Sequence, residues 1–165
     1  MPDFTVTANV TRTQLGLADL NINDNLNYKI SGIDQFVQGA VTWERDTTRS
    51  PYVEGEFTTN RRRGNVQERL GVEVFKGDSA GISGQGKFAL EANIQQLIQA
   101  FTQDAFVLNM TAASGTTWQN EWHWACEAAD YSVVITGPRL ASQQALVTFT
   151  VIRNPVATDL TWSAW

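Results

Sequence analysis

The sequence predicts a mainly β chain, an antiparallel sandwich or open barrel with one amphipathic α-helix packed on its flank. Three observations predict it. Short stretches that alternate apolar and polar residues recur along the whole chain, about nine or ten of them. One stretch, Phe88 to Phe101, has a different period: Leu90, Ile94, Leu97, Ile98 and Phe101 share one helical stripe, and Gln95, Gln96 and Gln99 take the other side. Turn-forming Gly, Pro, Asn and Asp separate the stretches, and no linker or internal repeat divides them. Residues 1–155 are therefore expected to form one domain, with 156–165 as a C-terminal tail.

In chain order, Phe4 to Thr11 alternates apolar or small residues with threonine and predicts a first strand. Asp19 to Asn27 is rich in Asn and Asp and predicts a turn-rich connection. Tyr28 to Gly32 and Ala40 to Arg45 predict two short strands. Asp46 to Arg49, followed by Ser50-Pro51, predicts a loop, because the residue before proline is pushed out of the helical region. Tyr52 to Thr59 and Val66 to Phe75 predict a hairpin turning at Arg61-Arg62-Arg63-Gly64-Asn65. Beyond the helix, strand alternation resumes at Phe106 to Met110. A break at Ser114-Gly115 leads to Trp118 and to Glu121-Trp122-His123-Trp124-Ala125-Cys126. Ser132 to Thr136 stops at Gly137-Pro138. Ala145 to Ile152, β-branched, aromatic and bounded by Asn154-Pro155, carries the strongest strand signal.

Length and composition set the bounds. The 165 residues, 42% hydrophobic and 10% aromatic, suit one globular unit with a sizeable core. No apolar run approaches the ~20 residues of a membrane span. Met1-Pro2-Asp3 is not followed by a basic and then an apolar segment, so no secretory signal is expected. Cys126 is the single cysteine, which excludes an intrachain disulfide and multi-cysteine zinc patterns. Alternation puts it on the face of Trp122 and Trp124, as a buried, inert thiol. The net charge of −5 argues against a nucleic-acid grip over the whole surface.

No complete catalytic or metal-binding pattern emerges, and no cofactor is expected. Gly81-Ile82-Ser83-Gly84-Gln85-Gly86-Lys87 has the spacing of a phosphate-binding loop. However, Phe88 stands where a Ser or Thr would hold magnesium, and the surrounding strands read as antiparallel. The stretch is read as a connection. His123 is the single histidine, and alternation places it on the opposite face from Cys126. Glu54, Glu56, Glu68 and Glu73 are expected as solvated carboxylates on a sheet surface. Arg61-Arg62-Arg63 is the one dense basic site. It reads as a solvated hairpin tip or as a docking contact, since arginine forks pair well with carboxylates, with nucleic-acid contact a weaker third reading. The six tryptophans, with Trp118, Trp122 and Trp124 in one hairpin, divide between core and exposed positions. Exposed ones would suit a sugar-stacking platform or a protein interface.

The order of these features resembles the distal-tail and minor-tail proteins of long-tailed bacteriophages, over roughly Tyr28 to Val134. The matching pieces begin with Ser50-Pro51-Tyr52-Val53-Glu54-Gly55 and Glu68-Arg69-Leu70-Gly71-Val72-Glu73-Val74. They continue with the helix Ile94 to Phe101, Gln103, Phe106-Val107-Leu108 and Trp124 to Tyr131. The resemblance implies a tail-tube-like sandwich flanked by a helix. It implies a structural, non-enzymatic virion subunit, assembled in the host cytoplasm as a ring, a hexamer, around the tail channel. Neighbouring tube and tail-tip proteins would be its partners, and DNA would only pass through the lumen. The larger members carry a second, carbohydrate-binding-like domain, for which this chain is too short. Within the class, a major tube or terminator subunit is the alternative; outside it, a carbohydrate-binding β-sandwich module using exposed tryptophans. Arg61, Arg62, Arg63, Trp118 and Trp122 are the residues expected at a subunit contact, with an acidic inner wall and the arginines turned away from it.

Overall fold

The computed structural model describes residues 4–31, 43–49, 56–76, 89–114, 118–135 and 144–154. Ten strands are found among them: β1 (Phe4–Val10), β2 (Leu20–Asn21), β3 (Tyr28–Ser31), β4 (Trp43–Arg49), β5 (Glu56–Arg63), β6 (Val66–Phe75), β7 (Ala105–Ser114), β8 (Trp118–Glu127), β9 (Asp130–Ile135) and β10 (Gln144–Arg153). One α-helix, α1 (Ala89–Phe101), precedes β7. All pairings are antiparallel. Eight strands form one curled sheet in the order β2-β1-β7-β8-β10-β6-β3, with β9 also on β10. β4 and β5 form a separate two-stranded ribbon.

The curl has a local cause. β8 bridges β10 only where Cys126 meets Arg153, whereas β9 pairs with β10 from Asp130–Thr150 to Ala145–Ile135. β8 and β9 thus share one edge of β10 and are joined through Ala128 and Ala129 at a corner. Strands that pass between sheet segments at such corners bend a sheet into a half-barrel. The Ala129 N–H donates to the Phe101 carbonyl at the end of α1, which pins the corner to the helix.

The concave face is the core. β10 buries Ala145, Val147, Phe149, Val151 and Arg153 at every second position, and β6 buries Val66, Leu70, Val72 and Val74 in the same two-residue phase. α1 lies over them and buries Leu90, Ile94, Leu97, Ala100 and Phe101, while Gln95, Gln96 and Gln99 are exposed. The Phe101 ring stacks on Phe149 at 4.1 Å and meets Phe106 edge-on at 5.2 Å. Full burial of side chains of this size stabilises by roughly 1.5–3 kcal/mol each. Polar groups fix the helix against the sheet. The Asn93 amide donates to the Phe75 carbonyl (2.8 Å), and the Tyr28 hydroxyl donates to the Asn93 carbonyl (3.0 Å). Burial raises the Tyr28 pKa, with Asp24 adding to it.

The Asp19–Asn27 connection is turn-rich as expected, with β2 embedded in it and a 3-10 turn (Thr13–Leu15) before it that the pattern did not announce. Asp24 Oδ1 accepts from the backbone N–H groups of Leu26, Asn27 and Tyr28. Partial burial opposes its charge, but these hydrogen bonds outweigh that and hold the carboxyl below its ordinary value.

Two expectations are corrected. Asp46 to Arg49 is not a loop: it continues β4, whose register against β5 shifts between Asp46 and Thr47. The shift leaves Thr59 of β5 as the extra residue of a bulge, and Asp46 to Arg49 stay paired in the ladder. Nor do Tyr52–Thr59 and Val66–Phe75 form a hairpin. β5 pairs with β4, whereas β6 pairs with β3 and β10. The Ser50-Pro51 stretch, the Gly81–Lys87 segment and the tail with Trp162 and Trp165 lie outside the described residues.

Candidate assembly interface

The expected contact residues fall in two places. Arg61, Arg62 and Arg63 are not a turn: they are the last three residues of β5, opposite Arg45, Glu44 and Trp43 of β4, and only Gly64 and Asn65 remain between β5 and β6.

Trp118 and Trp122 belong to β8, in register with Ser114 and Met110 of β7. Trp122 is partly buried and packs against the core, and Trp124 is buried. These two indoles therefore form no exposed platform for a sugar. Cys126 follows them on the core face, where its thiol donates to the Trp124 carbonyl (3.3 Å). Burial pushes its pKa up to about 12, against the pull of a Leu108 backbone hydrogen bond and of Arg153. His123 is on the other face, beside Glu121 (3.2 Å) and Asn109 (2.5 Å). The sheet separates thiol from imidazole, so they cannot work as a dyad.

The sequence reading missed the buried ion pair beside this hairpin. Arg153 is 2% exposed, and its guanidinium meets the Glu68 carboxylate through Nε–Oε2 (3.0 Å) and Nη2–Oε1 (2.7 Å). Its Nη1 donates to the Asn154 carbonyl (3.0 Å), and its other side lies 4.0 Å from the centre of the Trp124 ring. Bidentate geometry and the aromatic face together offset the desolvation of both charges. Glu68 is therefore not a solvated surface carboxylate. The signal was present: Glu68 falls in phase with Val66, Leu70 and Val72, and Arg153 with Val147, Phe149 and Val151. Opposite charges at core-phase positions of two strands predict a buried pair.

A second surface lies where α1 overhangs β9. Glu91, Ile94, Gln95 and Ile98 of the helix face Tyr131, Val133 and Ile135 across a cleft of about 330 Å³. Tyr131 is 50% exposed and Val134, on the outer face, 60%.

Curl, corner and helix on the concave face are together a recognisable arrangement. The fold is similar to that of a phage Dit protein. The crystal structure in question is that of SPP1 Dit, described as a paradigm of the hub adsorption apparatus in phages that infect Gram-positive bacteria. The two share a TM-score of 0.50 and 13% sequence identity, over 92% of this chain and 51% of SPP1 Dit. The chain thus spans about half the length of that Dit protein. No protein family and no curated protein matches the sequence. At this identity, the likeness to Dit is one of fold.

Proposed function

We propose that this chain is a structural subunit of a bacteriophage tail, a ring-forming distal-tail or minor-tail protein that surrounds the DNA channel and links tube to tip. The observation that carries the proposal is the Dit-like fold over nearly the whole chain. It agrees with the order of sequence motifs from Tyr28 to Val134. In this reading six copies close a ring, neighbouring tube and tip proteins stack on it, and the protein resides in the virion tail.

Charge supports an assignment of surfaces. DNA carries one negative charge per ~1.7 Å of axis, so a basic lumen would retard it and an acidic one would let it slide. With Glu68 committed to Arg153, the acidic wall falls to groups such as Glu56, Glu73 and Asp130, summed around the ring. The ribbon bearing Arg61, Arg62 and Arg63 then turns toward a carboxylate-bearing neighbour, with Trp118 and the open side of Trp122 sharing the contact. Native mass spectrometry of the full chain should show closed oligomers. Changing Arg61, Arg62 and Arg63 together to Glu should leave a folded monomer by circular dichroism and abolish the ring. Normal assembly of that variant, or an assembly structure with the three arginines lining the channel, would overturn the surface assignment. A strictly monomeric wild-type chain at high concentration, retained on a glycan array, would overturn the functional class.

A further inference from the structure

Asp130 to Val134 are all exposed, and among the described residues β9 pairs only with β10. Its inner face, Tyr131, Val133 and Ile135, forms an apolar wall of the cleft under α1, with Ile94 and Ile98 opposite and Glu91 and Gln95 lining the rest. An apolar strand with one free edge attracts further chain.

The chain that follows β10 lies within reach. The Asn154 N–H donates to the Ala125 carbonyl, beside the β8–β9 corner. Asp130, one residue before the cleft-lining Tyr131, pairs with Thr150, four residues back along β10, or about 13 Å. Residues 155–165 number eleven and extend to at most about 36–40 Å. They include Leu160, Trp162 and Trp165 and no Lys or Arg. Counted along the sheet, Val133 lies about as far from Asn154 as Trp162 does along the chain. A segment tethered this closely is present at an effective concentration of order millimolar, well above that of any copy in dilute solution.

We propose that residues 155–165 fold back in cis along β9 and place Trp162 in the cleft between β9 and α1. The cleft volume, about 330 Å³, is at the lower end for binding pockets and accommodates one indole. The docked segment shields the Tyr131–Ile135 wall from water and blunts the free edge. The inference is independent of the proposed ring.

Two experiments on the full-length chain test it. In the first, Val133→Cys is combined with Thr161→Cys or with Ser163→Cys, and dilute protein is oxidised. Cys126, buried and with a raised pKa, stays out of the exchange. An intrachain disulfide in at least one combination is expected, since bridging needs the two Cα atoms within about 7 Å. Purely interchain bridges would show that a second copy supplies the segment, and no bridge in either combination would show that nothing docks there; both outcomes overturn the proposal. In the second, chymotryptic cleavage after Trp162 is timed. Val133→Arg, on the cleft side, should accelerate it about tenfold by raising the open population, and Val134→Arg, on the outer face, should not. Equal rates in both variants would also overturn it.

Discussion

β9 and β10 are neighbours in register over six residue pairs, and both are rich in β-branched and aromatic residues. Yet β10 buries every second side chain from Ala145 to Arg153, whereas five of the six residues of β9 are exposed. The difference lies in what surrounds them. β10 has β6 along one edge, β9 and β8 along the other, and α1 across its inner face. Among the described residues, β9 has one partner strand and lines a cleft under α1. Strand pairing satisfies the backbone, but only layering removes side chains from water.

Substitutions on the two strands put this contrast to the test. The largest effects belong to β10. Phe149→Ala removes a fully buried ring stacked on Phe101 and should cost about 3–5 kcal/mol in urea unfolding. Tyr131→Ala, its cross-strand partner on β9, should cost less than about 1 kcal/mol. Similar losses would mean that the two strands are equally covered.

Breaking the ion pair should cost nearly as much. Glu68→Gln leaves Arg153 buried without its counter-charge, with an expected loss of about 3–5 kcal/mol. A paired replacement, Glu68→Leu with Arg153→Met, should recover most of it. If the double variant is no better than the single, the site depends on the charges themselves rather than on avoiding an orphaned one.

α1 supplies a smaller comparison. Leu97→Ala should cost about 2–5 kcal/mol and Gln96→Ala less than about 1, since Leu97 is fully buried and Gln96 exposed. Thermal or urea melts that move equally would mean that α1 is not docked through Leu97.

The smallest effect depends on pH. Asp24 has a carboxyl held below its ordinary value of 3.8, so its contribution is fully present above that value and is lost as pH falls through the lower native one. Asp24→Ala should therefore cost about 0.5–2 kcal/mol at pH 7, as lost side-chain caps do, with the gap from wild type closing below about pH 3.8. A gap independent of pH would assign the effect to packing.

Much of the architecture was legible. The extents of β1, β6 and β10 follow from period-two alternation, and α1 from its apolar stripe, because burial on one face leaves that periodicity in the residues. The core placement of Cys126 and the separation of His123 from it follow from the same rule. What was not legible involves partners. Asp46 to Arg49 read as a loop because local propensity is blind to a ladder with β5. Arg61 to Arg63 read as a tip because β5 was paired with the wrong strand. Glu68 read as solvated because its partner is 85 residues away.

Local pattern alone was enough for the extents of β1, β6, β10 and α1 and for the faces that β10 and α1 turn inward. Those properties depend on neighbours two, three or four positions away along the chain, where pleat and helix pitch act. Only the tertiary structure decided which strands pair, where the sheet turns its corner at Ala128 and Ala129, and which charges meet. Arg153 shows the reason. Its position at the end of a core-phase strand is written locally, but burial of a guanidinium is tolerable only because β6 brings Glu68 to 2.7 Å and β8 lays Trp124 against its face. Three segments far apart in the chain must converge before that charge can leave water.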